Sequence, residues 1–254
     1  MCLFRRGKSL RNEVDYAIVG ATGIELRYLY DQVSDRKQLE FSIFNSVIGR
    51  ISDKKVIIVP SGIGMTNAAV CATALFEDFG VGTLISVGIG GAYEASGIKP
   101  GDVAIATEEV YADMGVCYDD RIGPLDEIGI PLLLKDGSAY FNCWPVSKRM
   151  LKIAEKISSN LRTRGDFSVH FGRFATVAGV SGDLRRAGKL GKKFGVVCEN
   201  MEGAALAHVA KLYDVEFFEC RGISNVAGVR NKEKWEIEKA AKNSQWFLVQ
   251  ILRG

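Results

Sequence analysis

Three segments of the 254-residue sequence place a carboxylate or an amide within a few residues after a run of apolar residues. Glu25 lies in YAIVGATGIELRYL, Glu202 lies in VCENMEGAALAHV, and Asn225 lies in ECRGISNVAG. A carboxylate can act as a general base or can stabilise positive charge that develops on a ligand, whereas an amide can only donate and accept hydrogen bonds. These residue types indicate bond cleavage, provided that the three segments meet at one site.

Each of these residues also has a purely structural interpretation. Glu25 and Glu202 can be ordinary acids in the first turn of a helix, where the helix dipole favours them. Asn225 can belong to a turn that it forms with Ser224. One segment taken alone does not distinguish the two interpretations.

Two glycine-rich segments strengthen the case for a ligand site. PSGIGMTNAA contains Ser61, Gly62 and Ile63, and SVGIGGAYEASGIKPGD contains Gly90. In both, a predicted strand breaks into small residues that expose backbone N–H groups, a geometry suited to a phosphate, a carboxylate or a sugar hydroxyl. Since open α/β sheets bind ligands at the carboxyl ends of their strands, several such turns favour a small-molecule site.

The elements that must position these residues follow from the periodicity of the apolar residues. Short runs rich in Val and Ile predict strands at 16–20, 56–59, 84–88, 103–106, 175–180, 196–198 and 217–223. Spacings of three and four residues predict helices over 66–80, with Gly80 as the C-cap, over 202–214 and over 234–252. The stretch over 118–145 holds three of the five prolines and predicts loops beside the site. This alternation indicates an α/β layer architecture.

Composition and charge limit the class of protein. A length of 254 residues with 47% hydrophobic content suits one large domain, predicted over 15–254, after a basic extension over 1–14. The small net charge of +3, with dispersed Lys and Arg, predicts no nucleic-acid partner. No stretch approaches the roughly 18 apolar residues that a membrane span requires, so we expect a cytoplasmic protein with no membrane partner.

The cysteines and histidines predict no metal site. Six cysteines are widely scattered without a CxxC pair, and the two histidines are His170 and His208. This pattern favours buried free thiols in a reducing compartment. His208 falls inside a helical pattern and is predicted to be a packing residue.

A dinucleotide-binding loop is the competing interpretation of the first segment. Gly20 and Gly23 can serve as the first two glycines of such a loop, but Leu26 occupies the place of the third. A branched side chain there would hold the helix away from the strand. Glu40 lies downstream without ending a clear second strand, so we expect no nucleotide cofactor and no other cofactor.

Taken in chain order, these segments resemble the purine nucleoside phosphorylase and nucleosidase superfamily from Tyr16 to Leu252. The matching features are the spacing from Gly20 to Glu25 and the runs SGIG, NMEG and GISN, which resemble the branch of methylthioadenosine/adenosylhomocysteine nucleosidases. The resemblance implies a single-domain, three-layer α/β/α fold with a central mixed, barrel-like sheet. It also implies cleavage of a purine–ribose N-glycosidic bond, a small-molecule nucleoside substrate and a homo-oligomer.

The resemblance assigns a role to each matched position. Glu25 would orient and deprotonate the attacking water, and Met201 and Glu202 would hold the ribose hydroxyls. Ser224 and Asn225 would face the base. Further substrate contacts are expected from Ser61, Gly62, Ile63 and Gly90. Because cleavage builds positive charge on the sugar, nearby carboxylates agree with these roles.

Water is the expected nucleophile. Phosphorylases of this superfamily place an arginine just before the glycine turn that corresponds to 88–91, and Ser86 takes that place here. A phosphate dianion would lack this counter-charge. Arg27 and Arg50 are the alternative sources of positive charge.

The amide at position 225 changes the expected base. Adenine-releasing members carry an aspartic acid there that donates a proton to purine N7, and an amide cannot act as a general acid. Asn225 offers N–H donors to both N7 and a 6-oxo group, so hypoxanthine is the predicted leaving base. The run RGISNVAGVRNKEKWEIEKAA accordingly resembles futalosine hydrolase, a branch in menaquinone biosynthesis, through Arg230, Asn231 and Trp235.

The 5′ end of such a substrate carries an aromatic carboxylate arm, which needs an apolar wall and a cationic or amide partner. Candidate contacts are Tyr140, Phe141, Phe171 and Arg173, against the alternative that the aromatic residues belong to the core. Two other functions stay open. One is a methylthioadenosine/adenosylhomocysteine or aminodeoxyfutalosine nucleosidase, and the other is a non-catalytic nucleoside-binding protein on the same fold.

Overall fold

The computed structural model describes residues 12–119, 121–161 and 167–254. Its strands are β1 (Asn12–Gly20), β2 (Ser34–Phe41), β3 (Phe44–Ile51), β4 (Lys54–Pro60), β5 (Phe79–Ala92), β6 (Val103–Tyr111), β7 (Val116–Cys117), β8 (Ile122–Gly123), β9 (Leu133–Lys135), β10 (Ser138–Tyr140), β11 (Cys143–Pro145), β12 (Val169–Thr176), β13 (Val196–Asn200) and β14 (Glu216–Val226). Its α-helices are α1 (Arg27–Tyr30), α2 (Met65–Asp78), α3 (Lys148–Leu161), α4 (Leu184–Phe194), α5 (Gly203–Tyr213) and α6 (Ile237–Arg253). The predicted basic extension over 1–14 lies outside the described residues up to position 11, and its last three residues begin β1.

One mixed sheet of ten strands forms the centre of the fold. The parallel strands β4, β1 and β5 lie side by side, and the antiparallel strands β3 and β2 continue the sheet beyond β4. At the other end β14 pairs with both β5 and β6, while β12 and β13 also connect β6 to β5. These five strands therefore close on one another, which confirms the predicted mixed, barrel-like sheet.

Helices cover both faces of the sheet and make the three predicted layers. On one face α2 and α5 pack through small and apolar residues such as Ala68, Leu75 and Ala207. On the other face α1, α3 and α6 contribute residues such as Met150 and Phe247. Because both faces are covered, β1 and β4 read as continuous apolar runs, which is why the sequence indicates them clearly.

The predicted strands are confirmed at six of seven positions, and the seventh, at 175–180, is wrong beyond Thr176. The backbone N–H groups of Ala178 and Gly179 donate to the carboxylate of Asp113 instead of continuing a strand ladder. A long-range side-chain contact therefore ends this strand, and no local signal announces it.

The prediction that Gly80 caps α2 is wrong. The helix ends at Asp78, and Phe79 is extended, so β5 begins without an intervening turn. Gly80 has a packing role instead, since a Cβ at this position would lie 3.2 Å from Cγ of Glu13 on β1.

The glycines at 88–91 do not form the predicted turn, because β5 continues to Ala92 and pairs with β14 along this stretch. Glycine is needed here for space. A Cβ at Gly88 would collide with the carboxylate of Glu25 and lie 2.7 Å from a guanidinium nitrogen of Arg221. The glycines therefore let these side chains lie directly against the strand.

The periodicity misses β2, β3, β7, α3 and α4, and it predicts loops over 118–145, where β8 to β11 form short strands. Nearly all side chains of β2 are exposed or half-buried, so this strand has no apolar run that would reveal it. Since β2 pairs antiparallel with β3, the segment after β1 does not build the parallel unit of a dinucleotide-binding loop. Leu26 packs directly against Gly20, since a Cβ at Gly20 would lie 2.8 Å from the Leu26 side chain.

Candidate active site

A cavity of about 320 Å³ opens where β1, β5, β13 and β14 end. Seven residues predicted for the site line it, namely Glu25, Ile63, Gly90, Met201, Glu202, Ser224 and Asn225. They come from distant parts of the chain and meet because β4, β1, β5 and β14 are parallel neighbours whose carboxyl ends lie at one edge. Strand β13, which pairs with β5, brings Met201 and Glu202 to the same edge. One cavity thus joins the three segments on which the sequence argument depends.

Glu25 is held at the cavity by neutral hydrogen-bond donors. It ends a short 3-10 turn after β1, and only 4% of its surface is exposed. Its Oε2 accepts hydrogen bonds from the backbone N–H and the hydroxyl of Thr22, both at 2.9 Å, and its Oε1 accepts one from the backbone N–H of Ile89 at 2.9 Å. The carboxylate is therefore fixed in orientation while it still faces the cavity.

Glu202 stands at the N-terminus of α5, but its side chain does not cap that helix. Its Oε1 accepts a hydrogen bond from the backbone N–H of Gly64 at 2.9 Å, and its Oε2 lies 3.2 Å from a guanidinium nitrogen of Arg221. The side chain thus links the turn after β4 to strand β14. The simple interpretation as a helix-capping acid does not account for these contacts.

Arg221 is the main residue of the cavity that the sequence reasoning misses. It lies on β14, is 2% exposed, and pairs with Glu219 at 2.7 Å and with Glu25 at 3.9 Å in addition to Glu202. Burial opposes its charge, but the carboxylates of Glu219, Glu202 and Glu25 raise the pKa of Arg221 above its ordinary value. A charged residue inside the apolar strand EFFECRGIS is the signal that indicates such a buried ion pair.

Ser224 and Asn225 lie near the end of strand β14, beside Gly90. The Asn225 side-chain oxygen accepts a hydrogen bond from the Ser224 hydroxyl at 2.8 Å, and its Nδ2 donates to the carbonyl of Val226 at 2.8 Å. One N–H of the amide therefore has no partner among the described residues and is available to a ligand.

Ser61 and Gly62 do not line the cavity, unlike their neighbour Ile63. Their backbone N–H groups donate to the carbonyls of Gly20 and Ala21, which fixes the turn beside β1. Gly62 and Gly64 have φ values of 87° and 96°, a region that favours glycine. These residues therefore hold the turn that presents Ile63, which is 58% exposed, to the cavity.

The loop after β12 also reaches the cavity through Val180 and Ser181, which the sequence reasoning does not identify. The carboxylate of Glu199 accepts hydrogen bonds from the backbone N–H of Ser181 at 2.8 Å and from its hydroxyl at 2.6 Å. Tyr93 donates to the same carboxylate at 3.1 Å. This buried acid is thus occupied in holding the loop.

The structure does not bring the predicted arm contacts Phe171 and Arg173 to the cavity. Phe171 packs with the core cluster under α3 and α6, and Arg173 pairs with Glu108 at 2.7 Å. Tyr140 stacks on Trp144 with ring centroids 5.6 Å apart, and Phe141 does not line the cavity either. The prediction fails because β12 carries Phe171 and Arg173 near the middle of the strand, whereas the cavity lies at strand ends.

Arg27 and Arg50 do not supply charge to the cavity. Arg27 pairs with Glu238 on the surface at 3.8 Å, and Arg50 donates to the carbonyl of Asp53 at 2.5 Å. Ser86 lies beneath the cavity, where its hydroxyl accepts a hydrogen bond from Arg221 at 3.1 Å. Within the described ranges, the arginines that line the cavity are Arg221 and Arg230.

The remaining predictions concern metals, thiols and membranes. Across the described residues, no group of three or more His, Cys, Asp and Glu side chains is arranged to hold a metal ion.

Cys71, Cys198 and Cys220 are buried free thiols as predicted, whereas Cys117 is exposed. His208 packs against Trp144 with ring centroids 3.8 Å apart. In the part of the chain that the structure describes, we find no helix with the length and apolarity needed to cross a membrane.

The fold and the cavity together define the class of protein. The sequence model of the Phosphorylase superfamily matches residues 15–253. The chain therefore belongs to the phosphorylase superfamily, and the resemblance seen in its motifs is confirmed.

The similar proteins within this superfamily include nucleosidases. The 5′-methylthioadenosine/S-adenosylhomocysteine nucleosidase of Geobacillus sp. (strain WCH70) is 29% identical over 240 residues, which cover 93% of this chain and 97% of the relative. The structure of such a nucleosidase from Colwellia psychrerythraea 34H in complex with adenine aligns with a TM-score of 0.81 and 24% identity over 94% of this chain and 95% of that chain. Futalosine hydrolase of Helicobacter pylori strain 26695 aligns with a TM-score of 0.78 and 22% identity, over 95% and 97% respectively. The predicted enzyme class, N-glycosyl hydrolase, is the class that these names give.

Proposed function

We propose that this protein is a nucleosidase that hydrolyses the N-glycosidic bond of a 5′-modified purine nucleoside. The observation that carries the proposal is the convergence of Glu25, Glu202 and Asn225 on one cavity. Glu25 is oriented to take a proton from a water molecule that attacks the anomeric carbon. Because the sugar becomes positively charged as the bond breaks, the carboxylates of Glu25 and Glu202 stabilise the transition state.

Water is the proposed nucleophile, and the pairing of Arg221 supports it. The guanidinium faces the carboxylates of Glu219, Glu202 and Glu25, so its charge is already neutralised. A phosphate dianion placed beside Glu25 would meet like charge, whereas water would not. Hydrolysis is therefore favoured over phosphorolysis.

The base is the point on which two candidate substrates differ. The free N–H of Asn225 can donate to N7 or to a 6-oxo group, and a departing 6-oxopurine can delocalise its charge onto that oxygen. This amide supports a hypoxanthine nucleoside such as futalosine. Asn225 assists the departure of adenine less, because an amide cannot protonate N7 of the leaving base.

The names of the relatives support the other candidate better. The relatives from Geobacillus and Colwellia are 5′-methylthioadenosine/S-adenosylhomocysteine nucleosidases, and futalosine hydrolase is one structural relative beside them. The exposed apolar side chain of Ile63 at the cavity suits a thioalkyl group. An adenosine thioether is therefore the second candidate substrate.

Two residues at the cavity mouth would serve an acidic arm. The guanidinium carbon of Arg230 lies 4.9 Å from the ring centroid of Trp235, and both residues line the cavity. The indole N–H of Trp235 donates to the carbonyl of Val229 at 3.1 Å, which holds the ring in place. A stacked aromatic ring beside a cation is suited to an aromatic carboxylate, so these residues replace Phe171 and Arg173 as the proposed arm contacts.

We also propose that the enzyme acts as a homo-oligomer. Several large apolar side chains are exposed away from the cavity, among them Val70 of α2, Leu212 of α5, and Ile130 and Leu134 between them in the sequence. Such residues support association with a second copy. Light scattering at several concentrations tests this, and a monomer at all of them contradicts it.

Product analysis tests the function. The purified protein is incubated separately with futalosine, aminodeoxyfutalosine and methylthioadenosine, with and without phosphate, and the released base and sugar are identified. Hypoxanthine release at a rate that phosphate does not change supports the 6-oxopurine candidate. Faster adenine release selects the thioether or amino substrate, a sugar phosphate contradicts hydrolysis, and binding without turnover of any nucleoside contradicts the proposal as a whole.

A further inference from the structure

A second pair of carboxylates lies in the core directly behind the cavity. Glu109 on β6 and Glu219 on β14 are both 0% exposed. A Cβ at Gly203, the first residue of α5, would collide with a carboxylate oxygen of each. The two side chains therefore meet beside Gly203, and neither is among the residues that line the cavity.

One carboxylate oxygen of this pair lacks a hydrogen-bond donor among the described residues. Glu109 accepts hydrogen bonds from the hydroxyl of Thr176 at 2.7 Å and from Nδ2 of Asn200 at 3.1 Å. Glu219 Oε1 accepts hydrogen bonds from Nε of Arg221 at 2.7 Å and from the hydroxyl of Ser86 at 3.3 Å. Glu219 Oε2 is buried and has no donor among the described residues. A buried carboxylate oxygen without a donor is costly, so a proton on the neighbouring acid would complete the arrangement.

The surroundings favour that proton on Glu109. Burial, followed by the adjacent carboxylate of Glu219, raises the pKa of Glu109 well above its ordinary value. The other ionisable groups that interact with this pair are Arg221, Tyr111, Cys198 and Cys220. Burial raises the pKa values of Tyr111, Cys198 and Cys220, so Arg221 is the charged member of these four.

Glu219 is connected to the cavity through Arg221. The two residues are two positions apart on β14 and therefore project from the same face of the strand. Besides its ion pair with Glu219, the guanidinium of Arg221 lies 3.2 Å from a carboxylate oxygen of Glu202 and 3.9 Å from one of Glu25. A displacement of Glu219 would consequently move the cation that contacts both cavity acids.

We propose that Glu109 stays protonated and donates a hydrogen bond to Glu219, and that this pair positions Arg221 against Glu202 and Glu25. Glu109 and Glu219 are thus positioning residues of the active site. If Glu109 ionised, two buried carboxylates would repel each other and displace the guanidinium. The kinetic part of this inference rests on the proposed nucleosidase function, whereas the protonation of Glu109 does not.

Two substitutions of Glu109 test the role of the donated proton. Glu109→Gln keeps an N–H donor toward Glu219 and is expected to keep kcat/KM within about threefold of the wild type. Glu109→Met has similar volume but no donor, and we expect it to lower kcat/KM by about 5- to 150-fold. Glu108→Gln, which changes the half-buried neighbour, is the matched control and should leave kcat/KM unchanged. A Gln variant as impaired as the Met variant, or an unimpaired Met variant, overturns the proposal.

A measurement without substrate tests the protonation itself. The stability that the protonated Glu109 contributes is fully present below its unfolded-state pKa of about 4.3 and is lost as the pH rises through its raised folded-state pKa. The free energy of unfolding of the wild type, relative to Glu109→Gln, should therefore fall as the pH rises above about 4.3. A difference that stays constant between about pH 5 and pH 9 rejects a raised pKa.

Infrared spectroscopy of the wild type covers the case in which the Glu109 variants do not fold. A carbonyl band of a protonated carboxylic acid should persist in D₂O at neutral pH, and its absence overturns the proposal. If no nucleoside is hydrolysed at all, the proposed function fails, while the pH-dependent stability and the infrared band still decide whether Glu109 is protonated.

Discussion

The floor and the rim of the cavity are built in opposite ways. The floor consists of Glu25, Glu202 and Arg221, and the rim consists of Ile63, Val180, Arg230 and Trp235. The three floor residues are between 2% and 5% exposed, whereas Ile63 and Val180 are 58% and 39% exposed. Each floor side chain has charged or hydrogen-bonded partners on a different element, while Arg230 and Trp235 contact each other within one short segment.

This difference separates two tasks of the cavity. A buried charge that loses its partner is strongly destabilising, so the floor tolerates little change and is suited to holding catalytic groups in place. Exposed side chains cost little to exchange, so the rim is where the choice of the 5′ group can vary. We therefore expect floor variants to alter turnover or stability and rim variants to alter substrate preference.

The largest effect is expected from Glu25→Gln. The amide keeps the shape of the side chain but cannot accept a proton from water, so kcat should fall by about 100- to 10,000-fold while KM changes little. Steady-state kinetics on the nucleoside that the enzyme cleaves fastest provide the measurement. Glu40→Gln, which changes an exposed acid of β2, is the control. Unchanged turnover in Glu25→Gln would contradict its role as the base.

Arg221→Met should cause the next largest effect, this time on stability. Removal of the guanidinium leaves the carboxylates of Glu219, Glu202 and Glu25 without their shared cation, so the free energy of unfolding should fall by about 3–5 kcal/mol. Urea unfolding provides the measurement. Arg27→Met removes the surface pair with Glu238, in which both side chains are at least 70% exposed, and should change stability by less than about 1 kcal/mol. Equal losses in the two variants would show that the floor does not depend on buried pairing.

Asn225→Asp tests the junction between floor and rim. A carboxylate next to a 6-oxo group places two hydrogen-bond acceptors against each other. In its protonated form, however, the same side chain can donate a proton to N7 of adenine. We expect the ratio of hypoxanthine to adenine release to shift toward adenine by about 1–3 kcal/mol, or about 5- to 150-fold. Competition between futalosine and aminodeoxyfutalosine measures this ratio directly. A ratio that does not move would mean that Asn225 does not read the base.

The smallest effect is expected at the rim, from Arg230→Gln. Loss of the exposed cation should raise KM for a substrate with a carboxylate arm by about 1.4- to fivefold, because exposed ion pairs contribute only about 0.2–1 kcal/mol. The effect should shrink at high salt, and kcat should stay the same. Methylthioadenosine, which lacks the carboxylate, is the control substrate. An equal rise in KM for both substrates would assign Arg230 a structural role.

By itself, the sequence determined the α/β class, most of the buried strands, and the positions of Glu25, Glu202 and Asn225. These features depend on local patterns, because apolar runs mark strands covered on both faces and polar residues after them mark strand ends. Elements with weak local signals, such as the exposed β2, could not be recovered in this way.

Only the tertiary structure decided which polar residues share the cavity. Glu219 and Arg221 lie in an apolar strand, and their pairing with Glu109 and Glu202 requires β6, β14 and α5 to meet around Gly203. Conversely, Phe171 has a suitable side chain but lies on the wrong part of its strand. The type of each side chain can be read from the sequence. The distance between residues far apart in the sequence is set by closure of the sheet, and the strength of a buried electrostatic interaction depends on that distance.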